Sequence, residues 1–66
     1  MDKEFKEKVF KLRDRCTEKR LDDTGSDPLD AATLEQSKVV LNLSIGGKMT
    51  YNELAARLDS IIRGFR

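Results

Sequence analysis

Sixty-six residues make one small domain, 1–66, and a single cysteine with no histidine excludes an intrachain disulfide and any histidine-based metal or catalytic centre. Charged residues reach 38% while the net charge is only +1, a balance that announces neither a nucleic-acid binder nor an acidic tail. Apolar residues, also 38%, recur in regular patterns, which favours a folded helical chain over a disordered one and leaves tight packing, oligomerisation or a larger partner to stabilise it.

The first element is a helix over about 2–21. Phe5, Val9, Leu12 and Cys16 are spaced four, three and four apart and share one face, which Phe10 widens. Asp2 with Lys6, Glu4 with Lys8, and Glu7 with Lys11 put each acid four residues before its base, the favourable order on a helix. The helix should stop in the turn formers of "LDDTGSDP". Charge changes there too. Residues 1–20 carry eight basic and five acidic side chains, residues 21–37 five acidic and no basic ones, and residues 38–66 five basic and two acidic.

The second helix is expected over about 28–45, with Asp27 as N-cap and Pro28 at the first helical position. Leu29, Ala32, Val39 and Leu43 lie along one face, and Ala31, Leu34, Leu41 and Ile45 along the next, so this helix is expected between the other two. "KVVLNLSI" also alternates, and a strand closed by the following glycine pair is the rival for residues 38–45.

The third helix, about 50–65, has the clearest signal. Thr50 and Glu53 form a capping box, with Met49 and Leu54 at the positions of a hydrophobic staple. Tyr51, Leu54, Ala55, Leu58, Ile61, Ile62 and Phe65 then fall at three- and four-residue steps. The architecture is an all-α three-helix bundle, possible to complete by oligomerisation.

Three motifs invite a chemical reading and fail it. "SIGGKMT" looks like a phosphate-binding loop, but Asn42 stands where the first glycine belongs and Met49 where the Ser or Thr belongs. It reads as a hinge in which Gly46 ends one helix and Thr50 starts the next, leaving a weak anion site beside Lys48. An EF-hand loop starting at Asp22 would need glycine at Asp27 and glutamate at Thr33. Cys16 has Lys19 and Arg20 nearby, but it lies on the apolar stripe with no histidine as base and reads as a buried structural thiol; in a dimer it could meet its copy. No catalytic residue, cofactor, metal or small-molecule substrate is therefore expected.

"KLRDRC" in the first helix of a small helical chain resembles the Hha/YmoA family of bacterial gene-expression modulators over that stretch. "GSDP" before a helix, with "IIRGFR" at the C-terminus, resembles type III secretion needle subunits. No residue role is carried over from either.

The expected function is that of a non-enzymatic protein-interaction module, a small regulator or accessory protein acting by self-association, with a homodimer the expected form, or by docking to a larger protein. Leu58, Ile61, Ile62 and Phe65 of the third helix, with Phe10, are the expected contact residues, although a domain this small needs the same residues for its core. The alternative is a nucleic-acid-binding or transcription-modulating accessory protein using Lys6, Lys11, Arg13, Arg15, Lys19, Arg20, Arg57 and Arg63. The charged N-terminus "MDKEFKEK" and the absence of any long apolar run lead to a cytoplasmic expectation without membrane association.

Overall fold

A computed structural model describes residues 3–42 and 49–65. It contains helices α1 (Lys3–Leu21), α2 (Ala31–Leu41) and α3 (Tyr51–Arg63), and no strand among the described residues. The fold is an all-α three-helix bundle.

α1 forms as its pattern requires. Val9, Leu12 and Cys16 are buried along one stripe, with Phe5 half-buried at its start. Its end is a Schellman motif. The Thr24 N–H donates to the Lys19 carbonyl (2.8 Å) and the Asp23 N–H to that of Arg20 (3.0 Å). The geometry requires a left-handed residue after the last turn, and Asp23 supplies it at φ 62°.

The connector after α1 is more than a solvated turn. Pro28 and Thr50 form an antiparallel bridge, flanked by Leu29 N–H to Met49 O (2.9 Å) and Tyr51 N–H to Asp27 O (3.3 Å). Pro28 thus occupies the pair position at which no N–H is required, so its missing donor costs nothing. The strap also caps α3. The first three N–H groups of a helix lack intrahelical acceptors. Here Tyr51 donates to Asp27 O, Asn52 to Gly25 O (2.9 Å) and Glu53 to the Thr50 hydroxyl (3.2 Å). The close approach explains Gly25, where an added Cβ would stand 2.5 Å from Asn52 Oδ1.

This strap overturns the expected start of α2. Asp27 and Pro28 are consumed by pairing with residues 49–51, and the helix begins at Ala31 with Asp30 as N-cap. Its end also comes early, because Asn42 takes the left-handed conformation at φ 51°, ψ 41°. Residues 38–41 are helical, so the strand reading fails there; residues 43–45, and with them the Gly46 hinge, lie outside the described residues.

The central position is a second correction. α1, not α2, is the middle element: it packs mainly on α3 and less extensively on α2. α2 turns Thr33 and Ser37 inward, while Val39 is 72% exposed. The core comprises Val9, Leu12, Cys16, Met49, Tyr51, Leu54, Ala55 and Leu58, none of them from α2. Thr50 caps α3 by accepting from the Glu53 N–H, the forward half of the capping box, and Met49 and Leu54 are both buried. Gly64 ends the helix, leaving Phe65 just beyond it.

Candidate functional site

The five expected partner-binding residues separate. Leu58 is fully buried and belongs to the core, where no partner reaches it in the closed fold. Ile61, Ile62 and Phe65 are half-buried against that core. Phe10 is 46% exposed, on the outer side of α1. Three rings gather at this pole. Phe65 meets Phe5 edge-on at 6.2 Å and Phe10 at 5.8 Å, and the Lys6 ammonium lies 5.4 Å from the Phe65 centroid.

The basic residues proposed for nucleic acid are spread around the molecule, and most have partners within it. Arg13 holds Asp59 through Nε to Oδ1 (2.8 Å) and a longer second contact from Nη2 to Oδ2 (3.4 Å), and Nη1 also donates to the Thr17 hydroxyl. The hydrogen bond from Arg13 holds the Asp59 carboxyl below its ordinary pKa, and the same contact raises that of Arg13. Arg20 Nε donates to Asn52 Oδ1 (3.2 Å), Arg15 meets Glu18 at 3.5 Å, and Lys19 lies over the Tyr51 ring. Lys11 lines a groove between α1 and α2; Arg57 lines a shallower hollow with Leu41, Ser60 and Ile61. Arg63 is exposed at the end of α3.

That α1–α2 groove was not foreseen from sequence. It encloses about 370 Å³ between Lys8, Lys11 and Leu12 of α1 and Glu35, Gln36, Val39 and Val40 of α2. Its walls are largely apolar, with lysines on one rim and Glu35 on the other. It exists because α2 approaches α1 through two small residues. Ser37 is 0% exposed, and its hydroxyl donates to the Thr33 carbonyl (2.7 Å), so the polar pair is satisfied within α2. The larger Val39 is left at the opening. The sequence clue was available in the register of Thr33 and Ser37, but the apolar residues around them outweighed it.

Two further groups have structural partners. Tyr51 is buried, and its hydroxyl donates to Asp30 Oδ1 (2.8 Å) while accepting from the Asp30 N–H (3.2 Å). The Thr33 and Tyr51 hydroxyls hold the Asp30 carboxyl below its usual pKa. Cys16 is fully buried, which pushes its thiol pKa up, so contact with the cysteine of a second copy requires the fold to open. Among the described residues no group of three or more metal-binding side chains gathers, and no helix is long and apolar enough to cross a membrane.

Compared with family models, curated proteins and solved structures, the chain shows no match.

Proposed function

We propose that this chain is a non-enzymatic helical interaction module, a regulator or accessory protein that works by pairing apolar surface with a second copy of itself. The observation that carries this reading is the orientation of α2: Val39 stands 72% exposed beside the groove while Ser37, two residues earlier, is fully buried. An exposed branched apolar side chain on the lip of an apolar groove is surface that association would remove from water. Self-association also meets the need of a small core for additional burial. The internal partners of Arg13, Arg15, Lys19 and Arg20 weigh against the nucleic-acid alternative, because phosphate contacts would compete with them.

The test is absolute mass by light scattering over a dilution series, with circular dichroism on the same samples. The expected result is a dimer that dissociates on dilution and that Val39→Asp converts to a helical monomer. A monomer at every concentration would overturn self-association. A dimer indifferent to Val39→Asp would remove the groove from the reading. A gel shift at two salt concentrations addresses the alternative, since phosphate-driven binding weakens steeply with salt.

A further inference from the structure

We infer that α2 is a hinged lid that opens as a unit, pivoting on the 27–30 strap, while α1 and α3 remain packed. The inference concerns the chain alone and holds with or without self-association.

Three observations carry it. The fully buried apolar set draws on α1, Met49 and α3, whereas α2 contributes only Thr33 and Ser37 to the buried interior. Leu41 and Val40 are half-buried against the core and supply the apolar hold on the lid. The apolar surface exposed by opening is therefore a small part of what global unfolding exposes.

Polar links show the same division. Arg13 to Asp59, Arg20 to Asn52 and Lys19 over Tyr51 all join α1 to α3. Among the described residues, the side-chain bonds of helical α2 stay within it or reach back to its cap, namely Ser37 to Thr33, Lys38 to Glu35 and Thr33 to Asp30. No hydrogen bond or ion pair between described residues therefore has to break for α2 to leave α1.

The third observation fixes the pivot. The N-terminal end of α2 is tied to the start of α3 by Leu29 N–H to Met49 O, by Tyr51 N–H to Asp27 O, and by the reciprocal Asp30–Tyr51 bonds. Farther along α2, the groove opens between Leu12 and Val39, and only the half-buried Val40 and Leu41 hold that end to the core. Motion about the strap would widen this groove and expose the α2-facing side of α1.

Two measurements test the lid. In the first, a thiol is placed on its inner face by Ser37→Cys in a Cys16→Ala background, and its labelling is compared with that of Cys16 in the unaltered chain. The lid predicts labelling roughly tenfold or more faster at the Ser37→Cys position, with a urea dependence well below that of global unfolding. Equal rates and equal urea dependence, after correction for any difference in global stability, would overturn it. The second is hydrogen exchange on the unaltered chain, which needs no variant to fold. Once lifted from α1, an 11-residue helix is too short to persist in water, so amides of 35–41 should exchange roughly tenfold or more faster than the protected amides of α1 and α3. Protection in α2 equal to theirs would overturn the inference.

Discussion

Asp23→Gly should stabilise the protein. Asp23 occupies the left-handed position of the Schellman motif at φ 62°, a conformation that costs an L-residue about 1–2 kcal/mol, with Asp toward the low end. Its carboxylate also follows the C-terminus of α1, next to Asp22, where a negative charge opposes the helix dipole by about 0.3–1 kcal/mol. Glycine removes both costs and adds about 0.5–1 kcal/mol of unfolded-chain entropy. The net is about 1 kcal/mol of added stability, or roughly 4–8 °C in Tm for a domain of this size. The assay is paired thermal and urea unfolding of the unaltered chain, Asp23→Gly, Asp23→Asn and Asp22→Asn. The two asparagine variants isolate the charge and should each gain about 0.5 kcal/mol. Asp23→Gly should exceed both. A glycine variant no more stable than the parent would refute the account of how α1 ends.

Tyr51→Phe removes both bonds to Asp30 and should cost about 1–2 kcal/mol, read from the urea midpoint. Leu58→Ala leaves a cavity in the α1–α3 core and should cost about 2–5 kcal/mol, comparable to the whole stability of so small a domain, so circular dichroism should show a largely unfolded chain at 37 °C. Asp59 and Asp30 both have folded pKa values below their unfolded ones, so their contribution is present above the unfolded value near about 4 and is lost as pH falls through the folded values. Asp59→Asn should flatten that acid limb in a pH series of urea midpoints, and an unchanged limb would mean that the Arg13 pair is absent in solution.

α1 and α3 were legible because their cues were local. The stripe of Phe5, Val9, Leu12 and Cys16 and the Thr50–Glu53 box need no knowledge of the rest of the chain. α2 was harder because its decisive partners are distant. Asp27 and Pro28 carry good helix-start chemistry, yet Met49, Thr50 and Tyr51 claim their backbone for the strap. Asn42 then ends the helix in a conformation that asparagine tolerates but does not announce. Orientation failed for a related reason. Apolar periodicity points the bulkiest side chains inward, whereas close approach to α1 selects Thr33 and Ser37 and leaves Val39 out. The same cause limited the site: Leu58 and its neighbours were legible as an apolar stripe, but only packing separates the core position from the half-buried Ile61, Ile62 and Phe65.

The dominance of the α1–α3 interface bears on synthesis at the ribosome. α1 is made first, but the side chains that bury its stripe, Leu54 and Leu58 among them, come more than 30 residues later. α2 emerges in between and brings the core only Thr33, Ser37 and the half-buried Val40 and Leu41, too little to cover the stripe. At about 5–20 residues per second, α1 spends seconds with its apolar stripe uncovered. Its dense interleaving of acids and bases, which looked unhelpful as a clue to function, gives that helix a charged outer face of mixed sign for the interval before α3 is made.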